Sequence, residues 1–121
     1  MVAFGVNATN TGSSTAPLVT LTTQDANNFV VAILTRQGTS TWSSNASCTA
    51  TCTLRNNQAG AGSTTPGQGS VDVAKATAGS TTTEATISVS GAWAGAAIEL
   101  RSTTPPPPAC TESRKMIGVG C

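Results

Sequence analysis

Apolar and polar residues alternate with a period of two along much of this chain, and clusters of turn-forming residues cut the alternation into short segments. In "VAFGV", Val2, Phe4 and Val6 fall at alternate positions, and the adjoining "NATNTGSSTAP" is rich in turn formers up to Pro17. This predicts a first strand and then a loop. "LVTLTT" predicts a second strand, with Val19 and Leu21 on one face and Thr20 and Thr22 on the other, ended by Asp25, Asn27 and Asn28. "FVVAILTR" carries Phe29, Val31 and Ile33 on one face and Val30, Ala32 and Leu34 on the other, so neither face reads as wet. It predicts a central strand covered on both sides, and periodicity alone leaves a short buried helix open.

From Gln37 to Gly69 the pattern weakens: Trp42 reads as a core anchor, "TCTLR" as a short strand, and Gly60 to Gly69 as a flexible loop. "SVDVAK" and "TTTEATISVS" return to period two, with Val71, Val73, Ala85, Ile87 and Val89 facing inward and Thr86, Ser88 and Ser90 facing out. In "GAWAGAAIELRS", Ala96, Ile98 and Leu100 share a face, which Trp93 joins only if Gly95 permits a bulge. Seven or eight short strands predict an all-β chain, a single antiparallel β-sandwich or jelly-roll-like domain over residues 1–102, with no internal repeat. Residues 103–121 form a Pro-rich, cysteine-containing C-terminal tail.

Composition agrees with that reading. Thr and Ser make up roughly three residues in ten, and long charged helix formers are few. The 121 residues suffice for one modest core. Charged residues are 9% of the chain and the formal net charge is +1, so no electrostatic partner is implied. The basic, aromatic-interleaved stripe of a nucleic-acid binder is missing, and no run reaches the ~18 apolar residues of a membrane-spanning helix. The start lacks the basic and apolar regions of a signal peptide, which predicts synthesis in the cytoplasm.

The tail poses the sharpest question. Pro105, Pro106, Pro107 and Pro108 favour polyproline II and hold the remaining residues roughly 12 Å from the last strand. Beyond this spacer come Cys110 and Cys121. They read either as a local loop closed by its own bridge or as thiols carried outward to a neighbour, since the arm after Cys110 can reach about 36 Å. Cys48 and Cys52 are the other two thiols. In a straight strand their Cα atoms would lie about 13 Å apart, against the 4.4–6.8 Å typical of a disulfide, so they can bond to each other only if Thr49, Ala50 and Thr51 form a turn. Four cysteines allow three intramolecular connectivities, and the sequence does not choose among them.

Catalytic chemistry finds little footing. The chain has no histidine and no tyrosine, which removes the commonest general base and metal ligand and every Ser-His or Cys-His pair. Asp25, Asp72, Glu84, Glu99 and Glu112 are spread singly and read as solvated or strand-edge charges, not as an acid–base couple. The Cys48–Cys52 spacing is not that of zinc ribbons, and calcium would have to bind without a motif. The expectation is therefore a non-enzymatic protein with no metal and no cofactor. "NAT" at Asn7 and "NAS" at Asn45 match the glycosylation pattern but arise readily by chance in so Thr- and Ser-rich a chain.

The pairing of "FVVAILTRQG" with the closing "GAWAGAAIELRS" resembles small Thr/Gly-rich β-sandwich modules of phage structural proteins and bacterial surface proteins. The cysteine-bearing tail further resembles accessory virion proteins of collar, linking or decoration type from tailed phages whose particles are disulfide-cross-linked. This resemblance implies a structural virion protein, synthesised in a reducing cytoplasm and oxidised after lysis. It would dock on a repeating surface in many copies or as a homo-oligomer, with other virion proteins as partners, no nucleic acid or membrane, and Cys48, Cys52, Cys110 and Cys121 as the available cross-linkers. The alternatives are an extracellular adhesion or carbohydrate-binding module, with Trp42, Trp93, Phe4 and Phe29 as candidate stacking rings, and a filament subunit completed by strand exchange.

Overall fold

Among the described residues, eight antiparallel strands account for the period-two pattern: β1 (Val2–Ser14), β2 (Leu18–Thr23), β3 (Asn28–Gln37), β4 (Trp42–Ser44), β5 (Thr53–Gln58), β6 (Pro66–Lys75), β7 (Gly79–Ile87) and β8 (Gly91–Ser102). They come from a computed structural model that describes residues 2–44, 48 and 51–102. One sheet has the order β1-β8-β3-β6-β5 and the other β2-β7-β4. The pairing is nested: β1 with β8, β2 with β7, β3 with β6. The innermost step is a side-chain link, in which the Trp42 amide donates to Asn57 Oδ1 at 2.8 Å between β4 and β5. A long hairpin whose arms pair end to end and then roll into two facing sheets is a jelly roll, so the chain is an all-β sandwich of that topology.

Between the sheets lie Val19 and Leu21 of β2, Val30, Ala32 and Leu34 of β3, Trp42, Val71 and Val73 of β6, and Ala85 and Ile87 of β7. Leu34 sits between two glycines, Gly69 and Gly95, in the cross-strand register. A Cβ at Gly69 would lie 2.7 Å from the Trp42 ring, and one at Gly95 would lie 2.5 Å from Leu34 Cδ2. These glycines make room for the largest core side chains, which explains why a glycine-rich segment lies within a strand.

Several expectations need correction. β1 continues through "NATNTGSS", because pairing with β8 holds these polar residues extended along a sheet edge that faces water, and the chain turns only at Thr15–Pro17. Part of the expected loop from Gly60 to Gly69 belongs to β6, which starts at Pro66, and β5 runs from Thr53 to Gln58 instead of covering 51–55. Val89 lies beyond the end of β7 and is exposed. β3 is central, but its Phe29–Val31–Ile33 face is uncovered. In β8 the buried set is Trp93, Ala97 and Glu99, so Ala96, Ile98 and Leu100 face outward. No bulge in β8 is needed: the irregular register lies in β1, between Phe4 and Asn7. The spacer Pro105 to Pro108, with Cys110 and Cys121, lies outside the described residues.

Candidate functional site

The inverted parity of β8 and the open side of β3 together create an apolar surface on the outside of the five-stranded sheet. Directly opposed residues share a face, so the register builds this surface row by row. The first row is Phe4, Leu100, Phe29 and Ala74; the second centres on Ile98 and Val31; the third on Ala96 and Ile33; the fourth on Ala94 and Thr35. Beyond them Ala92 extends the β8 column. Phe4 is 76% exposed, Phe29 47% and Ile33 48%. Bulky side chains occupy one end and alanines the other. Over the alanine end lies a depression of about 420 Å³, bordered by Thr9, Thr11, Ile33, Thr35, Ala94 and Ala96. The outward residues of β1 beyond Phe4 are Asn7, Thr9, Thr11 and Ser13, and those of β6 include Asp72, Ser70 and Gln68. The result is an apolar strip with polar borders, the composition of a protein contact surface rather than of a wet sheet face.

A second cavity, about 500 Å³, opens at the rim among Thr35, Arg36, Gln37, Ser63, Pro66 and Trp93. The Arg36 guanidinium donates to Ser40 Oγ and, at 3.2 Å, to the Ser90 carbonyl, which fastens the loops at that end.

Of the carboxylates expected to be solvated or at strand edges, Asp25, Asp72 and Glu99 have structural duties, and Glu112 lies outside the described residues. Glu99 is fully buried. Its Oε2 accepts from the Val6 amide at 3.1 Å, and its Oε1 accepts from the Gln24 amide at 3.0 Å and from Asn28 Nδ2. Asn28 Nδ2 also donates to the Asp25 carbonyl at 2.8 Å. The node ties β1, the β2–β3 turn and β8 together. It also gives a cause for the β1 irregularity, since the Val6 amide turns away from β8 to reach the carboxylate. Gly5 is required there, because a Cβ would fall 2.2 Å from Glu99 Oε2. Asp72 pairs with Arg55 at 2.9 Å, and Asp25 pairs with Arg101. Glu84 is buried on the outer side of the small sheet, and this burial raises its pKa above the ordinary value of 4.5. Among the described residues no group of three His, Cys, Asp or Glu side chains could hold a metal ion.

Cys48 and Cys52 bond to each other, with Cα atoms 5.9 Å apart, which realises the local alternative left open by the spacing. Their sulfurs extend the line of β4 along β7. The Glu84 amide donates to Cys48 Sγ at 3.3 Å, and Cys52 Sγ lies 3.8 Å from the Thr82 carbonyl oxygen. The bridge therefore covers a stretch of β7 edge that the three-residue β4 does not reach.

Trp42 and Trp93 are only 3% and 7% exposed, so neither offers a ring for sugar stacking; of the four aromatic residues only Phe4 and Phe29 face outward. The apolar face escapes a reading of the sequence because its apolar runs have the pattern of core strands. The available signal is the glutamate at position 99, whose parity with Trp93 marks the opposite face. Compared with known proteins, the chain matches no family model, no curated protein and no solved structure.

Proposed function

We propose that this chain is a non-enzymatic structural protein of a virus particle, a multi-copy accessory or decoration subunit that works by protein–protein contact. The observation that carries this reading is the apolar outer face of the five-stranded sheet, on which three large hydrophobic side chains stand exposed. Water-exposed apolar surface of this kind is favourable to bury, and a sheet face needs another protein surface to do so. The described carboxylates support the reading as well, because Glu99, Asp25 and Asp72 are engaged in holding the fold together. The Cys48–Cys52 clasp and a tail bearing Cys110 and Cys121 fit a protein assembled under reducing conditions and locked afterwards by oxidation.

The test is mass spectrometry of purified particles, digested with and without reductant. The proposal expects the chain in fixed stoichiometry with the particle and a Cys110 or Cys121 peptide joined to another chain. Particles that assemble fully without containing the chain would refute it. Burial of both tryptophans weighs against the carbohydrate-binding alternative, which is left with Phe4 and Phe29 alone.

A further inference from the structure

The outer face has a shape that identifies its occupant. We infer that it is covered by a second copy of this chain, stacked face to face about a two-fold axis that lies in the interface and runs across the strands at the Ala96–Ile33 row. The inference rests on the reading of this face as a contact surface and names its partner.

Three features support it. Apolar strip and polar borders together, the face is five strands wide and about ten residues long, which at ~4.8 Å per strand and ~3.3 Å per residue is roughly 800 Å², the area each partner contributes to a standard specific interface. Its apolar part, on β8 and β3, carries no charged side chain: the outward residues are Ala92, Ala94, Ala96, Ile98 and Leu100 on β8, and Phe29, Val31, Ile33, Thr35 and Gln37 on β3. No like charges therefore oppose each other where this strip meets its copy, and the charged pair Asp72–Arg55 lies beside it on the polar border.

The third feature is the gradient of side-chain size. An axis along the strands would put Leu100 and Ile98 against their own copies and alanine against alanine, leaving a wedge-shaped gap. An axis across the strands places Leu100 and Ile98 of one copy over Ala92 and Ala94 of the other. Ile98 then enters the depression over Ala94, Leu100 covers Ala92 beside it, and the sheets can pack at their usual ~10 Å separation. The contact is isologous and closes as a dimer.

Light scattering on the full-length chain carrying Cys110→Ser and Cys121→Ser tests this, because these changes exclude covalent linkage through the tail. The expected result is a species of twice the 12.0 kDa chain mass. Ala96→Glu, an exposed site where no core contact is lost, should give a monomer with unchanged circular dichroism. Ser43→Glu, on the other sheet, should leave the dimer intact. Ile98→Lys and Ala94→Glu should each give monomers, and their combination should restore the dimer, since the two positions face each other only across the axis. A monomer at 100 µM or so, well above the Kd expected of a ~1,600 Å² interface, overturns the inference. A dimer indifferent to Ala96→Glu overturns it too, and a double variant that stays monomeric overturns the orientation. A monomeric chain that still binds particles would leave the structural role standing with a different partner on this face.

Discussion

Glu99 is the residue on which most local geometry converges, because three N–H donors from separate parts of the chain point at one buried carboxylate. Replacing it by glutamine sets an NH₂ group against at least one of those donors while removing hardly any volume. We expect Glu99→Gln to lower unfolding stability by about 3 kcal/mol, read as a shift in the urea midpoint at constant slope. An unchanged midpoint would mean the node is not what holds β1 to the turn. Glu84 makes a prediction in pH. Burial raises its pKa above 4.5, so over the window between 4.5 and the raised value the native state keeps a proton that the unfolded chain has lost. Stability from this group is full below 4.5 and is lost as pH rises through the raised value. Glu84→Gln should therefore gain in melting temperature relative to wild type between pH 4 and pH 7, and a difference that stays constant would contradict the assignment.

At the scale of elements, the glycine pair flanking Leu34 and the sulfur clasp on β7 make separate predictions. Gly69→Ala drives a Cβ into the Trp42 ring and should cost about 2 kcal/mol and perturb tryptophan fluorescence, while Gly62→Ala, with nothing closer than 3.8 Å, should not. Replacing Cys48 and Cys52 by serine should cost about 2 kcal/mol for so short a loop, and should speed hydrogen exchange at the Glu84 amide, whose acceptor is Cys48 Sγ. β2 and the Val71–Val73 part of β6 are legible in the sequence because their apolar and polar faces alternate cleanly. β1 is not, since Asn, Thr, Gly and Ser read as turn formers and only pairing with β8 makes them a strand. The parity of β8 reads wrongly because three apolar residues outweigh one glutamate in any hydrophobic count. Periodicity carries no sign that three N–H groups wait inside for that glutamate. The candidate face is hidden for the same reason, as it consists of the residues that the pattern assigns to a core.

For the whole molecule, the nested pairing makes the first and last strands neighbours, so the apolar face is built from β1, β8 and β3 and exists only once both ends of residues 2–102 have come together. Contacts between the sheets hold the two layers; the outer face contributes nothing to that core and is available for another protein. The central claim is that this face is buried in the assembled state. Hydroxyl-radical footprinting, comparing the dilute chain with the native assembly, tests it at Phe4, Phe29 and Ile33, with exposed Val89 as the internal reference. The account predicts strong protection of the first three on assembly and unchanged labelling of Val89. Equal labelling of Phe29 and Ile33 in both states would contradict it.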